Sequence, residues 1–298
     1  MSRTSVTSPV VIEAAITPLR KGEPLQTSEE LIHEATESLA GGAAIVHHHH
    51  DFRQTREGAI AQIVHVESEI LKAYPEAFVY NDYLRGDKIM EEKNAHLPAL
   101  AQAGVLTMAA LDPGLTQFGM LGENGLPSIH VQGGADYASA HEVVEFAGKT
   151  GTPLSLGVYD PSNLRWILAY AAKGLFPAGS MIKLYFGGEY QLGGVKWPTA
   201  GFGLPPTNQS LDMYLSLMEG CDLPWIVSIQ GGVLIDSEIA QRTLELGGHL
   251  RVGVEDTAGA TSLSNREIVE AAVALAEKVG RPVATGAQAH AVLKGGAA

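Results

Sequence analysis

The chain has 298 residues, 45% hydrophobic and only 18% charged, which gives it a large buried core and excludes a disordered chain. Its 33 acidic and 20 basic residues leave a net charge of −13, excluding the positive field that nonspecific binding to nucleic acid or an anionic membrane needs. Cys221 is the single cysteine, so no internal disulfide can form, and without a signal-peptide pattern in MSRTSVTSPVV or a membrane-length apolar run a soluble cytoplasmic protein is expected.

VVIEAAI, residues 10–16, reads as the first strand, with Ile12, Ala14 and Ile16 on one face and Glu13 on the other. The large apolar set is expected to pack outward on helices, which turns Glu13 into the interior as a further metal ligand, a residue supporting one, or a satisfied core carboxylate. A helix follows with Thr27 as N-cap and Gly41-Gly42 as its stop. Residues 43–46 form the second strand and run into His47, His48, His49, His50 and Asp51. A helix over about 53–73, a strand at 77–82, a helix at 88–102 and a strand at 106–112 come next. Residues 113–140 read as an irregular insertion before a helix at 141–151. Strands at 153–160, 180–187, 224–230 and 249–256 then alternate with helices at 161–174, 208–219, 236–246 and 264–280.

Eight short apolar strands alternating with helices predict parallel pairing through right-handed crossovers, and a single (β/α)8 TIM barrel over residues 1–298. GxGxxG and GxxxxGK[ST] are both absent, so a dinucleotide or P-loop fold has no support. The polar residues gather where strands end, the rim on which barrels build chemistry. Asp112 and Asp160, each followed by proline, read equally well as helix caps.

Alternation along the second strand points His47 and His49 one way, and His48 and His50 the other. Two imidazoles on one face are half of a transition-metal site. In HLRVGVED the outward positions are Leu250, Val252 and Val254, so Arg251, Gly253 and Glu255 are expected to face inward. Closure of the barrel brings the eighth strand beside the first, and Glu255 within reach of His47 and His49. Two histidines and a carboxylate form an open, catalytic type of site. The competing reading is an Arg251–Glu255 ion pair that only holds the barrel together.

GGAAIVHHHHDFR, GGHLRVGVEDTAG, LDPGLTQFG and the closing NREIVEAAVALAEKVGRPVAT resemble the beta-keto acid cleavage enzyme family, whose pattern has VHxHxRD on one strand and GGHVRVGxED late in the chain. The resemblance implies a barrel in which His47, His49 and Glu255 bind Zn2+ or another divalent transition metal, with Arg251 and Asp256 as the catalytic pair. It also implies a β-keto acid and acetyl-CoA as substrates, acetoacetate and a new acyl-CoA as products, and a homo-oligomer, a tetramer.

The substrate side departs from that pattern. Asn81-Asp82-Tyr83-Leu84-Arg85 replaces a PSTGG turn, and Thr17-Pro18-Leu19-Arg20 replaces an NGA-like turn. Ala110 stands for a serine or threonine, Gly157 for a glutamate, and Gly231-Gly232 for part of a glycine–arginine–histidine run. Asp82, Lys183 and Arg20 are the candidate substrate-binding residues. Lys183 reads either as a Schiff-base lysine or as an ammonium paired with a substrate carboxylate or a neighbouring acid such as Asp82. A CoA-independent metal-dependent aldolase or hydrolase, and a non-catalytic binding protein, are the other readings. Tyr185, Tyr190 and Trp197, with the loop 187–207, form either a lid or a packing surface.

Overall fold

Side-chain alternation along short strands decides which residues enter the barrel and which meet the helices. The computed structural model describes residues 8–19, 25–121, 123–190, 196 and 201–295. Its strands are β1 (Ile12–Ala15), β2 (Ile45–His48), β3 (Phe78–Asn81), β4 (Ala109–Leu111), β5 (Thr116–Leu121), β6 (Pro127–Gly133), β7 (Leu154–Val158), β8 (Met181–Gly187), β9 (Trp225–Gln230) and β10 (His249–Val252). The α-helices are α1 (Ser28–Ala40), α2 (Arg56–Ala73), α3 (His96–Ala103), α4 (Tyr137–Thr150), α5 (Pro161–Ala171), α6 (Asn208–Leu217), α7 (Glu238–Glu245), α8 (Val254–Thr257), α9 (Asn265–Lys278) and α10 (Ala287–Leu293). Eight strands form one parallel sheet in the order β3-β2-β1-β10-β9-β8-β7-β4, a nearly closed (β/α)8 barrel. Among the described residues, no helix is long and apolar enough to cross a membrane.

Ile12, Ala14 and Ile16 join Leu250 and Val252 in the apolar layer between sheet and helices, as the alternation requires. Inside the barrel, Val11, Ile45, Phe78, Met108, Met181 and Ile226 pack with Ala289, Val292 and Leu293 of α10. That plug dries one end of the barrel. The layer above it is polar. Glu13 registers with Arg251, Ala15 with His47, and His47 with Tyr80, so a two-residue advance along neighbouring strands changes the interior from aliphatic to polar.

Local signals set most helix starts. Thr27 caps α1 in a capping box with Glu30, and Asp160 caps α5 with Asn163. The insertion at 113–140 contains an ordered hairpin, β5 pairing antiparallel with β6, and α4 begins at Tyr137 behind its cap Asp136. Residues 89–93 form a π-helical turn before α3. The eighth barrel strand is shorter than expected. It stops at Val252, and Gly253 (φ 139°) turns the chain into α8, with a Cβ there only 2.1 Å from the Ala15 carbonyl oxygen.

The barrel closes between β3 and β4 through a side chain. Thr107 Oγ1 accepts from the Val79 amide at 2.8 Å and donates to the Val79 carbonyl at 2.9 Å. Across the same seam, the Asp112 amide donates to the Tyr83 hydroxyl at 2.8 Å. Thr107→Val keeps the shape and orphans both Val79 groups, so urea denaturation is expected to show a loss of about 1–3 kcal/mol. Unchanged stability would mean that the seam does not depend on Thr107.

Candidate metal centre and active-site cavity

The inner polar layer is built around Arg251, which is 1% exposed. Its guanidinium donates to Glu13 at 2.8 Å, to Glu255 at 2.7 Å, and to both oxygens of Asp256 at 2.9 Å. Lys183, from β8, donates to Glu13 at 2.8 Å and to the Tyr80 hydroxyl, which in turn donates to Glu13 at 2.6 Å. Burial pushes the Glu13 carboxyl up, but Lys183 and Arg251 outweigh it and hold it below the usual range. For Lys183, burial lowers the ammonium and Glu13 opposes the shift; the net direction is down. The neighbouring acid that pairs with Lys183 is thus Glu13 and not Asp82.

His47, His49 and Glu255 converge on one side of this layer and are all buried. His47 Nε2 and His49 Nε2 are 3.2 Å apart, and the Glu255 oxygens lie 3.6 Å and 3.3 Å from them. Two imidazole nitrogens on a tetrahedral zinc, each ~2.0–2.1 Å from it, stand about 3.3 Å apart, so the spacing fits a cation. Glu255 Oε2 is a buried acceptor with no hydrogen-bond partner, which a cation would also satisfy. Burial, then the Arg251 charge, holds the His47 imidazole well below its ordinary range, leaving it neutral and able to ligate. At His49, burial pulls downward but Glu255 and Asp82 outweigh it.

The structure therefore brings together His47, His49, Glu255, Arg251 and Asp256, by a route that differs from strand alternation. Glu255 and Asp256 sit on α8, where the short helical turn aims both back at Arg251. Glu13 stays outside the convergent group and serves the two cations. His48 and His50 face away, as alternation requires. His48 Nε2 lies 3.4 Å from Glu67, while Asn81 reaches both rings, with Nδ2 3.2 Å from His48 Nδ1 and Oδ1 3.2 Å from His50 Nδ1.

The cavity above this group has a volume of about 170 Å³ and is lined by Asp82, Asp112, Lys183, Tyr185 and Gln230 among others. Asp82 Oδ2 is 3.8 Å from His49 Nδ1. Tyr185 stacks on Tyr159 with ring centroids 4.5 Å apart. Arg20, Trp197 and the loop residues 191–195 and 198–200 lie outside the described residues.

Asp112 is the cavity acid that the capping reading obscured. A hairpin, not a helix, follows it, and its carboxyl points over β7. A Cβ on Gly157 would come within 1.9 Å of Asp112 Oδ1, so the glycine that replaces a glutamate in the family pattern makes room for this carboxyl. Burial, and then Asp82, pushes the Asp112 carboxyl up to about 7. Between the ordinary aspartate value of 3.8 and about 7 the folded state binds more protons than the unfolded one, so this contribution to stability falls as pH rises. Asp112→Asn is therefore expected to gain stability relative to the parent between about pH 4 and pH 8 in metal-free protein. Urea denaturation at both pH values would contradict this by giving equal differences.

A sequence profile described as beta-keto acid cleavage enzyme matches residues 9–294. The 3-oxoadipate:acetyl-CoA acetyltransferase of Cupriavidus necator is 48% identical over 59 residues, 18% of this chain and 21% of that protein. The 3-keto-5-aminohexanoate cleavage enzyme of Acetoanaerobium sticklandii is 44% identical over 59 residues, 18% of this chain and 22% of that one. The matched stretch thus spans about a fifth of these curated relatives, 21% and 22%. Among solved structures, a ternary complex of ObcA with a C4-CoA adduct and oxalate superposes with a TM-score of 0.66 at 15% identity, covering 90% of this chain and 66% of that one. That likeness supports the barrel. The profile match over nearly the whole chain assigns the protein to the beta-keto acid cleavage enzyme family.

Proposed function

We propose that the protein cleaves a β-keto acid with acetyl-CoA, releasing acetoacetate and a new acyl-CoA, and that His47, His49 and Glu255 hold a zinc ion for the reaction. The observation that carries this reading is the convergence of those three side chains beside the Arg251–Asp256 pair in a chain of this family. His47, His49 and Glu255 would hold the cation, which would supply Lewis acidity that makes the carbon between the keto and carboxylate groups more acidic.

Asp256 takes the proton from that carbon. Arg251 grips both of its oxygens, and Ser228 donates to Oδ2, so the carboxylate is held in one orientation. The carbanion then attacks the acetyl-CoA carbonyl carbon, and the CoA thiolate leaves. The thiolate next attacks the original keto carbon, and the bond between that carbon and the former carbanion centre breaks. The products are the new acyl-CoA and the acetoacetate carbanion, which takes the proton back from Asp256.

Lys183 is engaged by Glu13 and Tyr80, which supports an ion-paired ammonium at the cavity wall over a free amine poised for a Schiff base. In that role it and Asp82 meet the substrate, as does Arg20 by its sequence position. The family resemblance implies assembly into a homo-oligomer, and a cytoplasmic location is part of the proposal.

About one zinc per chain is expected by elemental analysis, lost when His47→Ala and His49→Ala are combined. A panel of β-keto acids should release acetoacetate only with acetyl-CoA present, and Asp256→Asn should lower kcat by roughly 10²–10⁴-fold. Equal turnover without acetyl-CoA would replace this reading by a CoA-independent aldolase or hydrolase.

A further inference from the structure

Of the two predicted metal ligands on the histidine run, only His47 lies inside a strand. Regular pairing of β2 ends at His48, which registers with Asn81, and on the other side Ala15 is the last partner, opposite His47. His49 follows the last strand residue, so the ladder does not fix its backbone. Yet its ring must hold an angstrom-scale position opposite His47 and Glu255.

The peptide group joining His48 to His49 is instead gripped by two side chains, one on each side. The His49 amide donates to Thr17 Oγ1 at 2.9 Å. The His48 carbonyl accepts from Asn81 Nδ2 at 3.1 Å. Thr17 and Asn81 are each 2% exposed, so both bonds are shielded from water. Thr17 follows β1 and Asn81 ends β3, the strands that flank β2. The two side chains take over from the ladder where it runs out. Both stand at positions where the chain departs from the family pattern.

We infer that Thr17 and Asn81 are positioning residues for His49, clamping the His48–His49 peptide plane so that the imidazole is aimed at the metal before the metal arrives. The inference rests on the reading of His49 as a ligand. Their role is distinct from substrate recognition, the function that the departures from the family pattern would otherwise suggest. Asn81 also spans the rings of His48 and His50, so one amide ties the two outward histidines to the placement of an inward one. A buried backbone group that loses its partner is costly, and a ligand released by a small rotation of its peptide costs affinity well out of proportion to the movement.

The test has two arms on the full-length protein. In the metal-free state, amide hydrogen exchange at His49 is expected to be slow, to speed up at least roughly tenfold in Thr17→Val, and to return towards the parent rate in Thr17→Ser. In chelator-competition titrations, Thr17→Val and Asn81→Ala should each weaken zinc binding roughly 10- to 100-fold, and Thr17→Ser should largely restore it. The two losses should combine to less than their product, because both grips act on one peptide group. Unchanged zinc affinity in both single variants overturns the positioning role, even if exchange accelerates. Slow exchange that persists in Thr17→Val overturns the grip itself. A parent protein that binds no metal sinks the proposed function instead, and the exchange arm still decides whether the clamp exists.

Discussion

Arg251 is the residue on which the polar half of this barrel depends. A guanidinium at 1% exposure is expensive to bury, and its cost is recovered only when carboxylates surround it with good geometry. Here three do so, Glu13, Glu255 and Asp256, each within hydrogen-bond distance. Lys183 shares Glu13. Two cations and three carboxylates leave this inner layer one negative charge in excess, and that excess lies on the side where His47 and His49 present their nitrogens. On the proposed reading, a divalent cation bound there would reverse the balance of this layer.

The three carboxylates around Arg251 reach it from two pieces of backbone, and the fold makes this possible. Glu13 comes from a strand beside β10 at matched register. Glu255 and Asp256 come from the helical turn after Gly253, which bends past the Ala15 carbonyl oxygen where a side chain would collide. Moving the two acids off the strand and onto a turn lets consecutive residues both face Arg251, which strict alternation forbids. Glu255 can then face the histidines while Asp256 meets Ser228. The apolar plug of α10 below and the aromatic stack of Tyr159 on Tyr185 above bound this polar layer, which keeps its electrostatics strong.

Periodicity made the barrel legible in the sequence, and it separated His47 and His49 from His48 and His50 with no tertiary information. Inward placement of Glu13 and Arg251 followed from the same rule. Glu255 was brought near the histidines by an argument that assumed a continuous strand, and the structure reaches the same neighbourhood through a turn. Other features depend on contacts between residues far apart in the chain. The choice of Glu13 as partner for Lys183, the bridging of the His48 and His50 rings by Asn81, and the space over Gly157 taken by Asp112 all join separate strands, so no local pattern announces them. Asp112 also shows how a generic signal misleads: aspartate before proline is the usual opening of a helix, and Asp160 obeys it, but a hairpin follows Asp112.

On the proposed reading, the charge arrangement around Arg251 makes His47, His49 and Glu255 a zinc site. X-ray absorption spectroscopy on the purified protein tests it most directly. The expected result is a zinc edge with nitrogen and oxygen scatterers at about 2.0–2.2 Å and the multiple-scattering signature of two imidazoles. Fully folded protein with no bound metal, or zinc bound through the sulfur of Cys221, would contradict it.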